Sequence, residues 1–294
     1  MLLEQDLIPY DVAAPPGQRS IVLAPHPDDE SIGCGGTIRL LVNAKKSVKV
    51  VFLTSGDKAD PSHKLSRIVH HGMPGARNTG GLTESDHLPR SPFHGEGTEG
   101  SAPISHLTGY ALLREQEAEK ALHVLGVSDY EFLRFPDREL HRHYHDAEDR
   151  LSRISAEYRP DAVYSPSVIE LNPDHRTTAS LAIAMHGRMA SEKVPAHSLP
   201  VRLLFYEVTS PLRPNLLVDI SSAYRAKKKA IRKYASQMKL MNYLDYITAL
   251  NMFRTLTVQG VRYAEAFWVS DLPLTGEAIA GWLTYQKKTE YRAP

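Results

Sequence analysis

The sequence predicts an α/β protein: a mostly parallel sheet flanked by helices, with a long inserted loop and a helical C-terminal part. Three observations predict it. Apolar runs of strand length, such as Ile21-Val22-Leu23-Ala24 and Val48-Lys49-Val50-Val51-Phe52-Leu53, read as strands buried on both faces. Segments with helical spacing alternate with these runs, the order expected of strand–helix–strand crossovers. The chain has 294 residues, 42% of them hydrophobic, which is enough to bury a full core.

Residues 1–19 are expected to form an extended arm, because Pro9, Pro15 and Pro16 disfavour regular structure. The rest, 20–294, is expected to form one domain. The strand Ile21–Ala24 leads through a loop, Pro25 to Glu30, into a glycine-rich helix over Ile32 to Val42, and Val48–Leu53 is the next strand. From Asp57 to Gly109 the character changes: eight of the 18 glycines and six of the 14 histidines fall there, with little apolar periodicity. A loop of that length is usually functional or mobile, and this one is expected to be a lid or partner-binding insert with a short helix near Lys64 to His70.

Ala118, Ala121, Leu122 and Leu125 follow the i, i+3, i+4, i+7 pattern of an amphipathic helix, closed by Gly126 in the C′ position. Tyr130–Phe135 reads as a strand, Tyr144–Tyr158 as a helix, Ala162–Tyr164 as a strand, Asp174–Met185 as a helix and Val201–Tyr206 as a strand. Ser221 to Leu256 is mainly helical, and Tyr263 to Val269 is a short strand or extended segment.

Composition excludes several functions. Thirty-five basic against 34 acidic residues leave a net charge of +1, so nothing electrostatic points to a nucleic acid or an anionic membrane as partner. No stretch approaches the roughly 20 apolar residues of a membrane helix. The N-terminus lacks a secretory pattern, and the single cysteine, Cys34, precludes an internal disulfide; a cytoplasmic location is the expectation.

Two polar runs carry the chemistry. His26-Pro27-Asp28-Asp29-Glu30 follows the first strand, where open α/β sheets bind ligands beyond the carboxyl ends of their strands. Imidazole and carboxylate both suit zinc, and three successive acids allow one to ligate while another stays free as a base. The competing reading is an acidic helix N-terminus that complements the dipole. Glu170-Leu171-Asn172-Pro173-Asp174-His175-Arg176 also follows a strand and precedes a helix. Seen alone it is an N-capped helix start; at the same sheet edge as the first run, the two supply two histidines and a carboxylate, the three-ligand set of a catalytic zinc.

These residues resemble the LmbE/PIG-L family of metal-dependent N-deacetylases. Ala24-Pro25-His26-Pro27-Asp28-Asp29-Glu30, followed by Gly33-Cys34-Gly35-Gly36, carries most of the resemblance. Arg114-Glu115-Gln116-Glu117 with Ala118, Ala121 and Leu125-Gly126 is similar to a family helix, and Phe135-Pro136-Asp137 and Asn172-Pro173-Asp174-His175-Arg176 to family loops. Ser236-Gln237 and Tyr263-Ala264-Glu265-Ala266-Phe267 match C-terminal segments, so most of the chain is covered except the arm and residues 57–109.

The resemblance implies a Rossmann-like sheet and removal of an N-acetyl group from an amino sugar in a glycan, glycolipid or natural-product intermediate. It implies His26, Asp29 and His175 as ligands of Zn2+ or another first-row divalent ion, Asp28 as general base, and Arg114 and Asp137 as substrate contacts. Two positions depart from the family's pattern. Asn172 stands where a histidine often helps stabilise the oxyanion or protonate the leaving group; asparagine can donate a hydrogen bond but is no acid near neutrality. Arg138 stands where a small residue often follows Asp137, so the sugar pocket is expected to differ.

Two other functions compete, an amidase acting on a different acyl amide and a non-catalytic binding or scaffold protein, and a homo-oligomer is compatible with all three. Cys34 is expected to be a small packed residue, His141, His143 and His145 a solvated loop, and Arg225, Lys227, Lys228, Lys229, Arg232 and Lys233 a solvated basic face. Gly33-Cys34-Gly35-Gly36 lacks the spacing of a dinucleotide-binding loop.

Overall fold

Buried apolar strands organise the centre of the molecule, which this computed structural model describes for residues 10–60, 109–191 and 200–287. Strands β2 (Arg19–Ala24), β3 (Ser47–Thr54), β4 (Asp129–Phe135), β5 (Ala162–Pro166) and β6 (Arg202–Tyr206) pair in parallel in the order β6-β5-β2-β3-β4. Side chains alternate across β2. Val22 and Ala24 enter a core with Ile38, Leu41 and Leu122, while Ile21 and Leu23 enter a second core with Leu151, Ile154 and Met185. Helices α1 (Asp29–Asn43) and α2 (Gly109–Leu125) thus cover one face, and α3 (Tyr144–Tyr158) and α4 (Pro173–Ser191) the other. Each such fully buried Leu or Ile stabilises the fold by about 1.5–3 kcal/mol relative to exposure.

The sequence places these strands and helices correctly to within a few residues, and the sheet is mostly parallel. Beyond β6 the sheet continues through the segment expected at Tyr263–Val269 as a short strand or extended, and through two strands that the periodicity does not reveal. β8 (Ala264–Ser270) is antiparallel to both β6 and β7 (Leu216–Asp219), and β1 (Asp11–Val12) pairs in parallel with β7 at the edge. Within the expected extended arm, Asp11 and Val12 are extended and close the sheet edge, and their backbone satisfies groups that β7 alone would leave open. A helix over Gly276–Lys287 was likewise not expected from the pattern. Of the expected insert, residues 61–108, including Lys64 to His70, lie outside the described residues; Asp57–Ala59 form a 3-10 turn and Gly109 opens α2.

The helix expected at Ile32 begins at Asp29 and is interrupted at Cys34, whose φ of −138° and ψ of 24° are not helical. The interruption has a physical cause. The Glu265 carboxylate, from β8, accepts the backbone N–H groups of Gly36 at 2.8 Å and Thr37 at 2.7 Å, capping the second half of α1 like a new helix N-terminus. Glycine permits the close approach: a Cβ on Gly36 would lie 2.7 Å from Ile220, and one on Gly33 would lie 2.2 Å from the Tyr206 ring.

Lys227, on the helix Tyr224–Ile231, donates to Glu265 at 2.6 Å, and both side chains are fully buried. Of the expected solvated basic face, Lys227 alone departs, turning inward to neutralise the carboxylate that holds the kink, while Arg225, Lys229 and Arg232 are exposed. K227M is expected to cost about 3–5 kcal/mol, because it strands a buried charge, and a lowered urea midpoint would register it. An unchanged midpoint would show that the two backbone N–H groups suffice.

Candidate functional site

The order of the strands places the site. β2 has β3 on one side and β5 on the other, so the chain winds away from β2 in both directions and leaves a crevice beyond the carboxyl ends of β2 and β5. The loop Pro25–Asp28 leaves β2 and the loop Ser167–Asn172 leaves β5, and each delivers its polar residues into that crevice.

Three donor atoms converge there. His26 Nδ1 lies 3.0 Å from Asp29 Oδ2 and 3.3 Å from His175 Nε2, and His175 Nε2 lies 3.2 Å from Asp29 Oδ2. Donors held 2.0–2.1 Å from a tetrahedral ion stand about 3.3–3.4 Å apart, so this triangle fits one face of a zinc-type site. The outward nitrogens also meet acids. His26 Nε2 is 3.3 Å from Asp174 Oδ2 and 3.3 Å from Asp137 Oδ1; His175 Nδ1 is 3.6 Å from Glu170 Oε2, an ion-pair contact longer than a hydrogen bond. Carboxylates behind ligating histidines fix the tautomer that presents the lone pair inward.

The electrostatics call for positive charge. Burial works against an imidazolium at His175, yet Asp29 and Glu170 push its pKa up to about 9. Burial likewise opposes a charged Asp29, but His175 and His26 hold its carboxyl well below the usual range. A cation on the two histidines and Asp29 would meet that demand, so the donor set fits a metal.

A second triad, His26, Asp137 and Asp174, also has its donor atoms close together. Its acids are already engaged. Asp174 accepts the N–H of Arg138 at 2.6 Å and of Leu140 at 3.3 Å, and Asp137 accepts the N–H of Lys58 at 2.9 Å. Those bonds suit a supporting role behind His26. The sequence assigns Asp174 and Glu170 no role, though both lie in the run that carries His175. Glu170 also receives the N–H groups of Val208 and Thr209, tying the β5 loop to the chain after β6.

Asp28 stands beside the triangle at the N-terminus of α1, with a φ of 142° that non-glycine residues rarely adopt. Strain of this kind costs about 1–3 kcal/mol and persists where neighbours over-determine it. Here Glu30 Oε2 accepts the Asp28 N–H at 3.2 Å, and Glu30 Oε1 is held by the hydroxyls of Ser31 and Tyr234, each at 2.6 Å. Burial pushes the Asp28 pKa up to about 7 against the pull of Arg114, whose Nη2 is 3.2 Å from Asp28 Oδ1.

The same cavity, about 210 Å3 in volume, is lined by His26, Asp28, Asp29, His175, Arg114 and Asp137, and also by Asn172, Arg138, Gln237 and Tyr243. All seven residues singled out from the sequence therefore face one space. Two are more engaged than substrate contacts need be. Arg114 is buried, and its guanidinium donates to the carbonyls of Pro27 and Gly56, bracing the β2 and β3 loops; Asp137 is bonded as above. Gln237 donates to Tyr110 Oη, and its neighbour Ser236 caps on buried Glu117. A larger groove of about 410 Å3 runs between Val12–Pro15 and the end of α1, away from the triad.

Asn172 has a structural task. Its Oδ1 accepts the Asp174 N–H at 2.8 Å, the N-cap bond of α4, and its side-chain NH2 remains available as a donor. N172A is expected to cost about 1 kcal/mol of stability through loss of the cap, whereas N172D, which keeps an acceptor, is expected to stay close to the parent in a thermal melt.

These observations define an LmbE-like α/β fold with a buried His/Asp cluster at the switch point of its sheet. Residues 21–186 match the PIG-L family, described as GlcNAc-PI de-N-acetylase, and the chain belongs to that family. It is 25% identical over 232 residues, 75% of this chain and 70% of the other, to the diacetylchitobiose deacetylase of Thermococcus kodakarensis. A 58-residue stretch is 41% identical to a putative glucosamine-6-phosphate deaminase-like protein of Bacteroides thetaiotaomicron, but it spans only 20% of this chain and 9% of that one.

Among solved structures, the N,N'-diacetylchitobiose deacetylase of Pyrococcus horikoshii superposes with a TM-score of 0.60 at 23% identity, covering 98% of this chain and 93% of that one. The Pseudomonas putida 4-carboxy-2-hydroxymuconate hydratase GalB also scores 0.60, at 22% identity, covering 87% and 98%. One fold thus serves a deacetylase and a hydratase, and the activity of this chain has to be argued from its site. Among the described residues, no helix is long and apolar enough to cross a membrane.

Proposed function

We propose that this chain is a metal-dependent hydrolase that removes the N-acetyl group from an amino sugar, with His26, Asp29 and His175 as ligands of a zinc or similar first-row ion. One observation carries the reading: Asp28, a carboxylate outside the ligand triangle, shares a single cavity with it. A site that only stored metal would have no use for a strained, buried base beside the ligands.

A bound divalent ion supplies Lewis acidity toward an acyl oxygen and lowers the pKa of water in its reach. The protein's own groups do the rest. Asp28, held by Arg114 and by Glu30 through its N–H, takes the proton from the attacking water. The free NH2 of Asn172 donates to the developing oxyanion, a contact worth roughly 3 kcal/mol in other enzymes. Asp28 then returns its proton to the departing amine, which replaces the acid that asparagine cannot be. Amine and acetate leave in equal amounts.

The test is a panel of N-acetylated sugars, including N-acetylglucosamine and diacetylchitobiose, incubated with zinc-loaded protein. Acetate and free amine released in equal amounts are expected from at least one of them. Release of a different acid from an N-acyl analogue alone would replace the deacetylase reading with an amidase, and no release from a metal-replete site would favour a binding protein.

A further inference from the structure

We propose that Arg138 selects for an oxyanion on the substrate, so that the cavity takes an acidic N-acetylamino sugar in preference to a neutral one; this rests on the deacetylase reading of the same site. Among the described residues, this guanidinium is the one in the cavity wall with neither a hydrogen bond nor an ion pair. Arg114 is occupied by Pro27, Gly56 and Asp28. Lys58, whose N–H meets Asp137, pairs with Glu139 at 2.5 Å, and Arg176, next to His175, donates to the carbonyls of Glu170 and Leu171 at 2.8 and 2.6 Å. Arg138 is exposed, lines the cavity, and its guanidinium has no hydrogen bond or ion pair among the described residues.

The backbone at this residue strengthens the inference. Arg138 has a φ of 63°, the left-handed region, which costs a side-chain-bearing residue about 1–2 kcal/mol and glycine almost nothing. Its N–H donates to Asp174 at 2.6 Å, a bond any residue but proline could make. The fold therefore needs only the backbone here, and glycine would serve it better. The retained strain points to work done by the side chain. The turn is at the same time anchored behind His26, which fixes where the Arg138 backbone stands relative to the ligand triangle.

Charge agrees with this assignment. The cavity is lined by the carboxylates of Asp28, Asp29 and Asp137 and the guanidiniums of Arg114 and Arg138. With both histidines neutral as ligands of a divalent ion, these three carboxylates, two guanidiniums and the ion sum to one net positive charge. A phosphate or carboxylate on the sugar or its aglycone meets that balance, and a guanidinium binds either through paired, charge-assisted hydrogen bonds.

Calorimetric titration tests the proposal. Zinc-loaded protein and its R138Q variant are titrated with N-acetylglucosamine, N-acetylglucosamine 6-phosphate, N-acetylmuramic acid and inorganic phosphate. The wild type is expected to bind at least one acidic sugar about ten-fold more tightly than the neutral one, and R138Q is expected to close that gap. The two acidic sugars separate phosphate from carboxylate. Equal affinities in the wild type, a gap that survives R138Q, or inorganic phosphate that binds as tightly as the sugar phosphate would each overturn the assignment. Acetate release from neutral sugars without an acid preference drops Arg138 and leaves the deacetylase reading standing. An Arg138-dependent acid preference without acetate release does the reverse.

Discussion

D28N is expected to lower kcat by about 10²–10⁴-fold while leaving metal content at one ion per chain. The magnitude is that of a positioned general base. The substitution isolates the base function unusually well. Asparagine has nearly the size and shape of aspartate, so the neighbours that impose the 142° backbone act on it in the same way. Glu30 still accepts the backbone N–H, and Arg114 still donates to the carbonyls of Pro27 and Gly56. Asp28 lies outside the triangle of His26, Asp29 and His175, so that triangle is left intact. Steady-state kinetics and elemental analysis on the same preparation check the prediction together. Normal turnover in the metal-replete variant would remove Asp28 as base. Loss of both metal and turnover would instead make Asp28 a ligand.

H175A is expected to weaken metal binding by more than about 100-fold, since deleting a ligand must exceed the 10–100-fold typical of deleting a group behind one. Activity falls with the metal. The substitution also decides between the two triads. His175 belongs to the set with His26 and Asp29 and is absent from the set with His26, Asp137 and Asp174. An ion on the first set leaves H175A after dialysis; an ion on the second stays, and full stoichiometry would transfer the metal to Asp137 and Asp174. H175A also removes the ring nitrogen that faces Glu170, but Glu170 keeps the N–H groups of Val208 and Thr209, so the loop between β5 and α4 retains its anchor.

Both experiments concern residues that could be named from the sequence, and the reason lies in how their positions are generated. A buried parallel strand is a local signal: Ile21–Ala24 is apolar throughout because both of its faces are covered. The residue that follows such a strand is necessarily at the sheet's carboxyl edge. His26 and His175 are therefore in the crevice as soon as their strands are recognised, and neighbouring strands in the right order bring them together. Family resemblance then distinguished Asp29 from Asp28, which spacing alone left open.

Contacts between distant segments were not legible in this way. Nothing local marks Lys227 as the partner of Glu265, 38 positions away, or Glu265 as the cap of Gly36 and Thr37, more than 200 positions earlier. Read locally, Lys227 is one more charge on a basic helix. Tyr234, which holds the carboxylate that holds Asp28, is an ordinary aromatic in the chain. β8 is legible as a short strand or extended segment, but its antiparallel pairing with β6 and β7 is not, because periodicity reports that a strand is half-buried or buried and not which neighbour it pairs with.

The sequence by itself determined the class of the fold, the strands of its parallel core, the loops that bear the chemistry and the residue types those loops deliver. These depend on side-chain period and on the rule that ligands sit beyond strand ends, both of which act over a few residues. Tertiary structure alone decided how each polar group is used: Arg114 and Asp137 braced by backbone bonds as well as lining the cavity, Asn172 capping a helix, Asp174 and Glu170 standing behind the histidines, and Arg138 brought exposed to the same cavity wall. A buried polar atom must find its partner wherever the fold brings one within 3 Å, and that partner's position in the chain is set by topology, which no local pattern records.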